Sequence, residues 1–281
     1  MLAFAISLCS GLSWGVSDFL GGVYSRRMHV LGVLAISQPF GLLVALVFLP
    51  VLGADSISTG EFAVAIGAGF ASAAGLAAFY KAMALGTISV VAPIAAIGVI
   101  VPVAFGIADG EVPGGAAFAG ASLAIAGVVV LSYEEDESPE DGAPTRLAIG
   151  LALISALGFG LFFTGLDVAA ADRPGLAIIG ARIGGVASIA AALIVVRPSL
   201  RPARGALPAL LAMGFFDVAA NFLFALAATK GLLPLVAVGG SMYPAFTVAL
   251  AHLVLGERLA LLQRAGVALA LVGVIAIAAG S

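Results

Sequence analysis

Residues 132–146 read SYEEDESPEDGAPTR, and this stretch decides how the rest of the chain is organised. Six acids stand in it, Glu134, Glu135, Asp136, Glu137, Glu140 and Asp141, with Pro139 and Pro144 among them. A segment this polar cannot bury enough apolar surface to offset the entropy of ordering, so it is a linker. On either side of it the composition inverts. Of 281 residues, 62% are apolar and only 10% charged, with mean hydropathy +1.22, whereas a soluble domain carries about a quarter charged residues. The chain could not cover its own surface in water, and it reads as an integral membrane protein. A soluble enzyme, a secreted disulfide scaffold and a nucleic-acid binder are excluded. Twelve Lys and Arg against fifteen Asp and Glu give net −3, and removing the six linker acids leaves +3, so there is no basic surface for a polyanion. The one cysteine, Cys9, lies inside an apolar run and has no intramolecular partner. No Cys/His cluster calls for a metal, and no cofactor is implied.

About 20 apolar residues cross a bilayer, which leaves room for about ten helical spans in a chain of this length. Segmenting at Gly, Pro and charge places them near 2–24, 30–52, 61–85, 88–108, 114–133, 147–170, 175–196, 206–229, 232–254 and 260–280. The first run, Leu2 to Val23, has no basic residue before it and exceeds the apolar core of a secretory signal, so it reads as a retained span. The linker then divides five spans in residues 1–133 from five in residues 147–281, with 134–146 between them.

The two halves repeat. Phe79, Ala82 and Gly86 of FYKAMALG precede Phe224, Ala227 and Gly231 of FALAATKG by 145 positions, and Trp14-Gly15 precedes Phe159-Gly160 by the same interval. At 146, Gly110-Glu111 falls on Gly256-Glu257, and Gly120 with Gly127-Val128 on Gly266 with Gly273-Val274. Five is odd, so the second half must cross the membrane in the opposite sense. The expected fold is therefore an all-α membrane protein, ten transmembrane helices as two inverted five-helix repeats around a central cavity, with the site near the midplane between halves.

The Trp-Gly of GLSWGVSDF (11–19), the Gly-Glu of DGEVPGG (109–115) and of GERLALLQRAG (256–266), the Gly-rich helices that follow and the two five-helix halves resemble the drug/metabolite transporter superfamily, EamA type. The resemblance implies ten helices around a central cavity and export or uptake of small metabolites, amino acids often among them. Three features depart from the pattern: Asp18 in the first span, Lys81 in the third, and Val112 where the second Gly-Glu is followed by Arg258.

Let side A be the side of the N-terminus and side B the other. Arg26, Arg27, Arg146, Arg197, Arg201, Arg204, Arg258 and Arg264 fall in B loops, and only Arg173 and Lys230 in A loops. Basic loops stay in the cytoplasm, so both termini are expected outside.

Ionisable groups within spans cost a few kcal/mol each and ask for a partner or a purpose. Asp18 shares a helical face with Trp14, Ser10, Ser17 and Gly21, which fits either a tight packing face or a cavity wall. Lys81, beside Tyr80, either snorkels to the B surface or pairs with Asp18 or solute. Arg182 and Asp217 oppose each other in spans seven and eight, as a fold-locking ion pair or as a ligand site. Asn221, one turn beyond Asp217, either bonds a neighbouring helix or touches solute. Pro93, Pro102, Pro234 and Pro244 break spans four and nine, where Ser241 and Tyr243 make a candidate wall. Gln38 beside Pro39 is ambiguous. Glu111 and Glu257 are expected to cap the helices they precede. The substrate-binding candidates are Trp14, Asp18, Tyr80, Lys81, Arg182, Asp217, Asn221 and Tyr243.

These features point to a secondary transporter of small organic solutes in the inner or plasma membrane, with export the expected direction. Asp18, Lys81, Arg182 and Asp217 sum to zero charge, which suits amino acids and similar zwitterionic or neutral solutes. No Walker motif is present, so coupling falls to an ion gradient, with protons carried by Asp18 or Asp217, or transport is facilitated. A non-transporting receptor or scaffold is the alternative. An intramembrane hydrolase built on Ser241 and His252 is disfavoured, because eleven residues of helix hold them about 16 Å apart.

Overall fold

A computed structural model describes residues 2–52, 57–110, 114–131, 146–170, 174–228, 230 and 233–280. The acidic residues of the linker, Glu111 and Arg173 lie outside the described residues. Among those described, all regular structure is helical: α1 (Leu2–Ser25), α2 (Val30–Leu52), α3 (Thr59–Leu85), α4 (Ile88–Ala96), α5 (Ile100–Ala108), α6 (Gly115–Leu131), α7 (Arg146–Ala170), α8 (Pro174–Val196), α9 (Ala206–Ala228), α10 (Leu233–Gly240), α11 (Tyr243–Leu255) and α12 (Leu261–Gly280). Eight stretches are long and apolar enough to cross a membrane, and α6 and α12 contain the shorter apolar runs Phe118–Gly127 and Leu261–Ile277. The protein is an integral multi-pass membrane protein.

Local chemistry explains the helix ends. Ser58 starts α3 with a capping box, its Oγ accepting the Glu61 N–H at 3.1 Å while its own N–H donates to the Glu61 carboxylate at 2.6 Å. Gly256 ends α11 at φ 68°, a left-handed conformation that glycine adopts without a Cβ penalty. The fourth and ninth spans are each broken midway. A 3-10 turn at Ile97–Val99 separates α4 from α5, and residues 241–242 turn between α10 and α11, with Pro244 in the first turn of α11.

Glycine lets the helix backbones meet. A Cβ on Gly15 of α1 would lie 3.0 Å from the Tyr243 carbonyl oxygen and 2.7 Å from Cβ of Phe246, and a Cβ on Gly160 of α7 would strike Gly98 and Val101. Each residue of the second contact stands 145 positions from its counterpart in the first. Gly69 meets Ala181 and Gly185 as Gly214 meets Ser37 and Gly41. Between α6 and α12, Gly127 approaches Gly266 and Ala270 as Gly273 approaches Gly120 and Ala124, so these two helices run antiparallel. Serines add hydrogen bonds between α1 and α9, from Ser10 Oγ to Ala220 O at 2.7 Å and from Ser17 Oγ to Met213 O at 3.0 Å. Such bonds between membrane helices contribute about 0.6 kcal/mol each.

The main apolar core occupies the B half of the bundle. Leu34, Phe79, Tyr80, Met83, Ile88, Leu210 and Met213 are fully buried there. Glu257 seals this end in a way the sequence did not suggest. Instead of capping α12, which it precedes, its carboxylate accepts the Ile88 N–H at 3.2 Å, the Ser89 N–H at 3.0 Å and the Ser89 hydroxyl at 2.9 Å. Those amides open α4, where helix geometry leaves N–H groups without partners and the macrodipole favours an anion. Glu257 also pairs with Arg26 Nη2 at 2.9 Å. Arg26 in turn donates to Met83 O and Gly86 O, so the loops after α1, α3 and α11 close over one carboxylate.

Two alanine substitutions separate close packing from mere helicity. A Cβ on Gly273 would stand 2.6 Å from the Gly120 carbonyl oxygen, while one on Gly67 meets nothing within 4 Å. Gly273→Ala should lower the melting temperature in detergent, with a cost of about 1–3 kcal/mol for forcing packed backbones apart. Gly67→Ala should leave it unchanged or raise it, since alanine is favoured over glycine in a helix by about 1 kcal/mol.

Candidate functional site

A cavity of about 830 Å³, its open mouth included, lies among α1, α2, α3, α7, α8, α9 and α11. It extends toward side A, where Ile178 near the start of α8, Phe163 and Asn221 line it, and the packed core closes it toward side B.

Its polar centre is built on one cation. Arg182 Nη1 donates to Asp217 Oδ2 at 2.5 Å and to Gln38 Oε1 at 3.1 Å. The side chains of Arg182 and Asp217 are only 12% and 19% exposed, so the attraction is little screened. Asn221 donates to the Asp217 carbonyl oxygen, four residues back on its own helix, at 2.7 Å; the bond is within α9 and not between helices. Asp18 also lines the cavity and is 8% exposed. Among the described residues it has no hydrogen-bond or ion-pair partner.

Aromatic rings supply the largest side chains of the remaining wall, beside small and aliphatic residues such as Gly69, Ser72 and Leu76. Trp14 meets Tyr243 edge-on at 6.3 Å and Phe224 at 6.0 Å, and Phe159, Phe162 and Phe163 face the space from α7. Six of the sequence candidates thus come together: Trp14, Asp18, Arg182, Asp217, Asn221 and Tyr243.

Two candidates stand apart. Tyr80 is buried behind the cavity, against Gly21 and against Phe79 at 5.7 Å. Lys81 is exposed, four residues before the end of α3, and among the described residues makes no ion pair with Asp18. Neighbouring residues on a helix point about 100° apart, so turning Tyr80 inward turns Lys81 out, and its long stem reaches the B surface.

Sequence reasoning missed Gln38 as the third member of the Arg182 cluster, and missed Ser72, Leu76, Phe162 and Phe163 in the wall. The repeat carried a signal for most of them. At an interval of 145, Trp14 corresponds to Phe159, Asp18 to Phe163, Ser72 to Asp217 and Leu76 to Asn221, and every one of these lines the cavity. Gln38 and Arg182, 144 apart, touch each other.

The fold and cavity define a multi-pass membrane protein with a partly charged chamber lined by helices from both sides of the linker. Residues 146–279 match the model of the EamA-like transporter family, and this match supports membership of the drug/metabolite transporter superfamily. A solved crystal structure superposes with a TM-score of 0.68 at 19% identity, covering 98% of this chain and 96% of its own, which shows a shared fold. No curated protein sequence matches the chain.

The Arg182–Asp217 pair can be weighed by a double-mutant cycle. Arg182→Met strands a buried carboxylate and should cost about 3 kcal/mol, read as a drop in the detergent melting temperature. Adding Asp217→Asn should recover much of that loss. Additive losses would show that the two side chains do not support each other.

Proposed function

We propose that this protein is a secondary transporter that moves a small organic solute by alternating access, through two inverted five-helix units at residues 1–133 and 147–281. The observation that carries the reading is a cavity lined by Asp18, Arg182 and Asp217 from within the apolar helices α1, α8 and α9, with walls drawn from both sides of the linker and the packed apolar core at its B end. Charges are retained within spans where they line a pathway or a site. The paired glycine contacts support the inverted relation. Exchanging the halves maps Gly15 on Tyr243 and Phe246 onto Gly160 on Gly98 and Val101, and the antiparallel α6 and α12 map onto each other. A two-fold axis that exchanges antiparallel spanning helices lies in the membrane plane, as in other inverted-repeat transporters.

Side B is taken as cytoplasmic from the distribution of basic residues, which puts the open mouth outside. The resemblance to the superfamily makes small metabolites, amino acids among them, the cargo and export across the inner or plasma membrane the direction. Protons are the proposed coupling ion. Asp18, a carboxylate without a cationic partner, can take up a proton in one facing state and release it in the other as its surroundings change. Ser241 donates to Val238 O and His252 faces Glu257 O, so no observation favours a hydrolase, and none favours a scaffold.

The test is flux in sealed vesicles. Wild-type protein reconstituted with a mixture of small metabolites should exchange a subset of them, faster when a proton gradient is imposed. Ser72→Trp fills the cavity from α3, and it should stop the exchange while the melting temperature stays near wild type. Equal flux in vesicles with wild-type protein, with the Ser72→Trp variant and without protein would refute transport through this cavity.

A further inference from the structure

We propose that the cavity selects a monovalent organic cation, a protonated amine carried on an apolar or aromatic body. The inference rests on the transporter reading and deepens it. The expectation of a zwitterionic solute counted four midspan charges, with Lys81 among them. Lys81 lies exposed and outside the cavity. What remains among the described lining residues is two carboxylic acids, Asp18 and Asp217, against one guanidinium, Arg182, which leaves an excess of one acid over base.

Hydrogen bonding shows which acid is in excess. Arg182 donates from Nη1 to both Asp217 and Gln38, and its charge is already balanced by Asp217, so it offers a solute carboxylate no uncompensated cation. Asp18 is more than nine-tenths buried, lines the cavity, and has no hydrogen-bond or ion-pair partner among the described residues. A buried charge without a partner is costly, and a bound ammonium group supplies both the opposite charge and N–H donors. An anionic solute would meet Asp18 unpaired and Arg182 already neutralised. A zwitterion would bring its own carboxylate into the same field.

The wall fits the rest of such a solute. Trp14, one turn before Asp18, and Phe159 and Phe163 of α7 line the same space. Aromatic faces attract a cation within about 6 Å, Trp most strongly, and they pack an apolar body at little cost in ordering. The site therefore reads as a carboxylate for the ammonium head and aromatic rings for the tail.

Trp14 is the only tryptophan in the chain, so its fluorescence reports this cavity alone. Three probes share one phenylethyl skeleton and differ in the charged groups it carries: 2-phenylethylammonium, L-phenylalanine and 3-phenylpropionate. Titrated into detergent-solubilised wild-type protein, 2-phenylethylammonium should shift the Trp14 emission saturably, and it should bind about tenfold or more tighter than either other probe, as expected for one added charge contact. Asp18→Asn should remove that preference and Asp18→Glu should restore it. The charge series on the wild type stands even if the Asn variant does not fold. Equal or tighter binding of L-phenylalanine or 3-phenylpropionate overturns the cation assignment and leaves the transporter reading in place. No saturable response to 2-phenylethylammonium also overturns it. Failure of transport itself has a separate signature, the absence of any protein-dependent solute exchange in vesicles.

Discussion

The contact between Arg182 and Asp217 is the constraint around which the bundle is arranged. A lone guanidinium or carboxylate facing hydrocarbon would cost several kcal/mol, so α8 and α9 must turn these residues toward protein. Once they do, α2 has to bring Gln38 alongside and α1 has to pass close enough to place Asp18 nearby. Close passage requires backbones without side chains between them. Gly15, Gly69, Gly160 and Gly214 supply it at related points of the two halves. The charged centre and the glycine contacts are thus two sides of one arrangement, since neither could exist in a loosely packed bundle.

The spans were legible almost to the residue because in this composition every polar or glycine-rich break stands out against apolar sequence. The breaks in the fourth and ninth spans were legible too, from Pro93, Pro102 and Pro244. The Arg182–Asp217 pair could be read because opposite charges in consecutive spans have few other ways to be satisfied. The aromatic wall could not. Phe162 and Phe163 are apolar residues in an apolar helix, and hydrophobicity does not tell which side of a membrane helix faces a cavity and which faces lipid. Lys81 failed as a cavity residue for a geometric reason, since only one of Tyr80 and Lys81 can point inward. Glu257 was read as a cap, and it is one, but for α4 in the first half of the chain. Nothing local to Gly256-Glu257 could reveal a partner 168 residues away.

Closure of the B half combines two kinds of interaction that respond differently to change. Buried apolar side chains such as Phe79, Met83 and Leu210 repack when helices tilt, and apolar contacts have no strong directional preference. The Glu257 cap is directional, holding two amides, a hydroxyl and Arg26 in one geometry. Under the proposed alternating access, opening this end would mean breaking a defined set of hydrogen bonds and not just sliding one helix past another. A two-state opening of that kind is what alternating access requires.

The most direct test of alternating access is the side from which each end of the cavity can be reached. In a Cys9→Ser background, cysteines at Asn221 and at Met213 are treated with a membrane-impermeant maleimide from either face of oriented vesicles. At rest, Asn221→Cys should label from side A alone, and Met213→Cys, only 1% exposed in the wild type, should resist from both sides. During solute exchange, Met213→Cys should become reactive from side B while labelling of Asn221→Cys slows. Labelling that stays the same at both positions while solute is exchanging would contradict the account.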